Sequence, residues 1–168
     1  MEKISYNRLK EIKKELLFYD FDNLNAKGNQ IIVKFKDDFS ITRFDDIRFG
    51  GLSEDFETQA CIIEDLIIEI IKYYGCENII LAKYESNWIM NKDKSLELTT
   101  LFKSNGLRTN FSWAIKVSEM KVIKDFIYSN LKYNSFTHFI LLENKIILTP
   151  TDHLDIFIAS SDIVALSR

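Results

Sequence analysis

Few side chains here are of the types that do covalent or metal chemistry, and they are scattered along the chain. "TDHLD", Thr151 to Asp155, offers one imidazole and two carboxylates within four residues. Asp152, His153 and Asp155 could hold a metal, or pair as general acid and base. The same spacing is that of a tight turn, in which Asp and His are ordinary residues tolerant of unusual backbone angles. The turn reading is preferred. Asp37-Asp38 and Asp45-Asp46 are adjacent carboxylates of the kind that hold Mg²⁺ in nucleases. Neighbours in a strand point to opposite faces, however, and either pair would need further ligands. His138 lies among apolar residues in "THFILLE" and reads as a hydrogen-bonded structural histidine. There is no GxSxG, GxGxxG, Walker lysine loop, HExxH or paired CxxC, and the chain has only two histidines. The expectation is no catalytic residue, no metal site and no cofactor.

The uneven feature is charge. Residues 37–69 carry ten carboxylates against Arg43 and Arg48, a net −8, whereas residues 1–36 carry +3 and residues 70–168 carry +2. The whole-chain value of −3 conceals this concentration. "FDDIRFGGLSEDFETQ", Phe44 to Gln59, lies in its middle with five carboxylates around a glycine pair. A helix start favours acids, which explains Glu54, Asp55 and Glu57. It does not explain Asp37, Asp38, Asp45 and Asp46, or Glu64, Asp65 and Glu69. Clustered charge of one sign steers a partner of the opposite sign, at some cost in self-repulsion. Asp37, Asp38, Asp45, Asp46, Glu54, Asp55 and Glu57 are therefore the expected contacts for a basic protein partner. A nucleic acid is not expected, because no patch is basic without neighbouring acids.

Positioning these residues requires the following elements. Ser5 caps a helix with Tyr6, Leu9, Ile12 and Leu16 inward and Lys10, Lys13 and Lys14 outward. "IIVKFK" and "FSITRF" flank Asp37-Asp38 as a hairpin, followed by a loop around Gly50-Gly51. Ser53 caps a long helix that buries Phe56, Ala60, Ile63, Leu66, Ile67, Ile70, Ile71 and Tyr74. Its outer stripe is Glu57, Glu64, Asp65, Glu69 and Lys72, interrupted by Cys61 and Ile68, and Gly75 ends it. "NIILAKY" and "NFSWAIKV" are strands, with a helix closed by Asn105-Gly106 between them. Ser118 caps a helix with Val122, Ile123, Phe126, Ile127 and Leu131 inward.

The last third is an antiparallel meander. Two-residue turns at Asn144-Lys145 and Asp152-His153 would pair Leu142 with Ile147 and Ile147 with Ile158. Ile140, Leu142, Ile147, Ile156 and Ile158 then line one face, and Phe139, Leu141, Leu148, Pro150 and Phe157 the other. Both faces are apolar, so helices of the same chain are expected on both sides. The fold class is α+β, a mixed or antiparallel sheet with helices packed on it, in a single domain over residues 1–168.

The 168 residues, 46% hydrophobic with one proline, suit a globular protein with a core of its own. "MEKISYNRLKEIKKELLF" reads as an amphipathic helix rather than a leader, and no apolar run approaches the length of a membrane span. Cys61 and Cys76 read as two reduced, mostly buried thiols in a cytoplasmic protein. In this profile, including "DDFSITRFDDIRFGGLSEDFE", the chain resembles the immunity proteins of bacterial polymorphic and contact-dependent toxin systems. The resemblance implies a cytosolic, non-enzymatic inhibitor whose partner is a cognate toxin, often a cationic nuclease. A small enzyme using carboxylates and His153, and a self-associating domain (a homodimer, for instance), are the alternatives.

Overall fold

The computed structural model describes residues 1–21, 26, 29–35, 56–83, 100–101, 103–107, 112–133, 137–151 and 153–162. Its elements in chain order are β1 (Glu2–Ile4), α1 (Tyr6–Glu15), β2 (Gln30–Lys34), α2 (Phe56–Tyr74), β3 (Asn78–Lys83), β4 (Ser112–Lys116), α3 (Met120–Tyr133), β5 (Thr137–Leu141), β6 (Ile146–Pro150) and β7 (Asp155–Ser160). The strands form one sheet in the order β1-β4-β3-β5-β6-β7-β2, and every pairing is antiparallel. The expected α+β class, antiparallel sheet and C-terminal meander are all present.

Helix faces follow the 100° periodicity closely. The Ser5 side chain accepts a bond from the Arg8 N–H at 3.2 Å, and Ile12 and Leu16 are fully buried. Tyr6 departs from expectation. It sits in the first turn and is 76% exposed, because its stripe leads away from the sheet. The residues before Ser5 also depart, forming the edge strand β1, which pairs with β4 more than a hundred positions away. On α2, Phe56, Ala60, Ile63, Ile67 and Ile71 are buried as expected, and Gly75 closes the helix at φ +64°. Ile68 is buried too, because its flank of α2 faces α3 rather than solvent. Helical residues 100–101 and 103–104 are followed by Gly106 at φ +70°, as read from the sequence. The expected cap Ser118 lies one position too early, since the Glu119 carbonyl takes the first α3 bonds, from Val122 and Ile123.

Alternation along the strands builds two cores. Ile79, Leu81, Ile115, Phe139, Leu141, Leu148, Ile156 and Ile158 face α2 and α3. Ile80, Ala82, Ile140, Ile147 and Ala159 face α1 and the segment after it, through Ile12, Leu16, Tyr19 and Phe21. Every residue of β5 and β6 is buried, so helices or following segments of the same chain cover both apolar faces.

The meander register differs from expectation in both hairpins. Phe139 pairs with Leu148 and Ile140 with Ile147, a shift of two that leaves each side chain on its expected face. Four residues form that turn, with Lys145 at φ +52°. Between β6 and β7 the shift is one, so Ile147 pairs with Ala159 and Leu148 with Ile158. That slip moves Ile156 and Ile158 to the α2/α3 side. Its cause is a three-residue turn in place of a two-residue one. The Thr151 N–H bonds the Asp155 carbonyl at 3.0 Å, the Leu154 N–H bonds the Thr151 carbonyl at 3.1 Å, and Leu154 takes φ +57°. A third turn residue in the left-handed region is the usual form of such a loop.

Candidate functional site

The acidic segment enters the described fold at α2. Phe56, 1% exposed, anchors its first turn in the core, and five further buried side chains hold the rest. Each large one contributes about 1.5–3 kcal/mol. A like-charge pair four residues apart, such as Asp65 and Glu69, costs only a few tenths of a kcal/mol. Core burial thus fixes a helix that its outward charge would disfavour.

Two flanks of α2 do different things. Glu57, Cys61, Glu64 and Ile68 recur at helical spacing along the flank that faces α3. There the Tyr128 hydroxyl donates to Glu57 Oε1 at 2.7 Å, and Lys124 Nζ bonds Glu64 Oε1 at 2.6 Å. The hydrogen bond Lys124 donates to Glu64, with the negative charge of that carboxylate, raises the Lys124 pKa. Desolvation first, then the bond to Glu57, pushes the Tyr128 phenol up, so it remains a donor. A groove of about 490 Å³ runs beside this contact, lined by Glu64, Leu101, Lys124, Asp125 and Tyr128 among others.

The other flank points straight away from the sheet. Ile62, Asp65, Glu69 and Tyr73 fall within an arc of about 80° at 100° per residue. Ile62 is 49% exposed and Tyr73 83%. Asp65 is exposed, and among the described residues Glu69 holds only an exposed pair with Lys72 at 2.9 Å. Two acids thus lie between two exposed apolar side chains. Exposed aromatic and aliphatic side chains beside charge are the makings of an interface, with the apolar groups as anchors.

Of the residues expected from sequence, Asp37, Asp38, Asp45, Asp46, Glu54 and Asp55 lie outside the described residues, as do the hairpin turn, the Gly50-Gly51 loop and the Ser53 cap. Glu57 is described and is engaged with Tyr128. Sequence reasoning passed over Ile62 and Tyr73. Their signal is two large apolar residues eleven apart on the otherwise polar side of the α2 periodicity.

The remaining chemical candidates are structural in geometry. The Thr151 hydroxyl donates to Asp155 Oδ1, and the His153 N–H bonds Thr151 Oγ1 at 3.2 Å, so His153 and Asp155 are held within the hairpin connection, while Asp152 lies outside the described residues. His138 is buried on β5 with Nδ1 2.8 Å from Thr149 Oγ1. The Tyr19 and Phe21 rings stand edge-on to its imidazole, with centroids 5.5 and 5.6 Å away. Burial, reinforced by the nearby Lys13 charge, lowers its pKa to about 3, and Nε2 has no hydrogen-bond partner among the described residues. Burial likewise pushes Tyr19 up to about 12, against the opposing effect of its bond to Thr149. Among the described residues no three His, Cys, Asp or Glu side chains converge, and no helix is long and apolar enough to cross a membrane. Comparison of the chain with protein-family models, with curated proteins and with solved structures gives no match.

Proposed function

We propose that this chain is a protein-binding module of the immunity type, which docks a basic protein partner through its acidic segment and the outward flank of α2. The observation that carries the reading is the row Ile62–Asp65–Glu69–Tyr73, two acids between two exposed apolar anchors on a helix fixed by its buried face. The net −8 of residues 37–69 supports it, because this flank continues the acidic segment. A nuclease-type toxin is the partner class of matching chemistry, since a surface shaped to hold phosphates is cationic. Affinity would reside in Ile62 and Tyr73, and speed of encounter in the acids. Cytoplasmic residence belongs to the same reading.

Co-purification from the native host supplies the partner, and titration calorimetry tests the site. Tyr73→Ala and Ile62→Ala should each weaken binding by about 1–2 kcal/mol or more without changing the melting temperature appreciably, as anchors at the centre of an interface do. Unchanged affinity in both variants would remove the α2 flank from the site.

A further inference from the structure

The exposed surface of α1 carries the counterpart of the α2 row. Tyr6, Lys10 and Lys14 lie along one stripe of α1, and Leu17 follows two residues past the helix end. Tyr6 is 76% exposed and Leu17 80%, large fractions for an aromatic and a leucine. Arg8 is already paired with Glu11 and Glu15, at 3.2 and 3.5 Å. Lys10 and Lys14 are exposed and in no ion pair among the described residues. The order is apolar, base, base, apolar. On α2 it is apolar, acid, acid, apolar.

The spacings also match. Reading α1 backwards, Leu17, Lys14, Lys10 and Tyr6 fall at offsets of zero, three, seven and eleven. Reading α2 forwards, Ile62, Asp65, Glu69 and Tyr73 fall at the same offsets. In each helix the two charges are four residues apart, about 6 Å along the axis. Laid antiparallel, Lys14 meets Asp65, Lys10 meets Glu69, and an apolar pair closes each end. Antiparallel helices also set opposite dipole ends together.

We propose that a second copy of this chain docks on the outward flank of α2 through the Tyr6–Lys10–Lys14 stripe of its α1 and the Leu17 that follows it. The proposal rests on the reading of the α2 flank as a docking surface, and names a second occupant for it. Because α1 and α2 cover opposite faces of the sheet, one copy cannot close both contacts with the same neighbour. Association is head-to-tail and continues beyond the dimer. A contact of one helix face on another is small, so the complex is weak and salt-sensitive. A copy seated on α2 excludes the basic partner, so self-association competes with partner binding.

Sedimentation velocity on the full chain tests this at high protein concentration in low-salt and high-salt buffer. The wild-type protein should form species larger than a dimer in low salt and dissociate in high salt. Lys10→Glu/Lys14→Glu and Asp65→Lys/Glu69→Lys should each lower association by about tenfold or more, because like charges then face each other. The variant carrying all four reversals should associate again, which a folding defect would not allow. A wild-type protein that stays monomeric in low salt, association that survives either double reversal, or failure of the four-fold variant to recover would overturn the proposal. Lys10→Glu/Lys14→Glu leaves α2 untouched, so it should still bind the basic partner. Self-association without any such partner would refute the proposed function alone.

Discussion

Protonation of His138 on unfolding should destabilise this protein in mild acid. Its imidazole is buried on β5 against Tyr19, Phe21 and Thr149, with Lys13 the nearby charge. The folded pKa lies near 3, below the ordinary 6.5, so the folded state holds the ring neutral. Between those values the unfolded chain binds the extra proton, and stability rises with pH. The contribution is complete above about pH 6.5 and is lost as pH falls toward 3. Linkage gives a loss of about 2 kcal/mol between about pH 7.5 and about pH 5, from a folded pKa near 3. That is a large part of the 5–15 kcal/mol typical of a domain. Urea unfolding at the two pH values measures it, with His138→Asn as control, since other titrating groups act in both proteins. The wild type should lose about 2 kcal/mol more than the variant over this interval. Equal losses would show that His138 protonates freely in the fold, and the buried site would be wrong.

Further outcomes follow from the packing. Ile147→Asp and Leu148→Asp should both abolish the cooperative unfolding transition, because the two side chains enter separate cores on either side of β6; a folded variant would expose that face. Asn130 donates to the Thr137 and Pro150 carbonyls at 2.9 and 3.2 Å and accepts from the Thr137 N–H at 3.3 Å. Asn130→Ala strips a partner from three buried backbone groups and should cost about 3 kcal/mol or more, read from the urea midpoint; under about 1 kcal/mol would refute the bridge. Cys61 is exposed, against the expectation of a buried thiol, because it lies on α2 away from the face that packs on the sheet, whereas Cys76 is buried, donates to Asn144 Oδ1 at 2.8 Å and has its pKa raised by burial. A thiol reagent should label Cys61 at once and Cys76 only on unfolding; comparable native rates would contradict that burial.

The sequence was most legible where periodicity and burial agree. Ile12, Ile63, Ile67, Phe126 and Leu131 are inward because a helix repeats its face every 3.6 residues and the sheet gives that face one partner. Three of the departures show the physical causes most plainly. The β1 strand is three residues long and is made by β4, not by its own sequence. Tyr6 lies on the Lys10–Lys14 side of α1, about 100° from the buried Ile12 and Leu16, and so stays exposed. The β6–β7 register turned on Leu154, a leucine at positive φ that no turn signal announces. For the site, sequence showed where charge is concentrated. It could not separate the α2 acids facing α3, such as Glu64, from those facing outward, such as Asp65, because only the position of α3 divides them.

The claim that acidity draws a basic partner is tested most directly by the salt dependence of the association rate. With the co-purified partner, stopped-flow rates are measured across a range of ionic strength. The wild type is compared with a variant carrying Asp45→Lys, Asp46→Lys, Glu54→Lys and Asp55→Lys. The wild-type rate should fall steeply with salt, and the variant should associate about tenfold or more slowly at low salt with a flattened slope, the two converging at high salt. Equal rates and slopes in the two proteins would contradict an acidic docking surface.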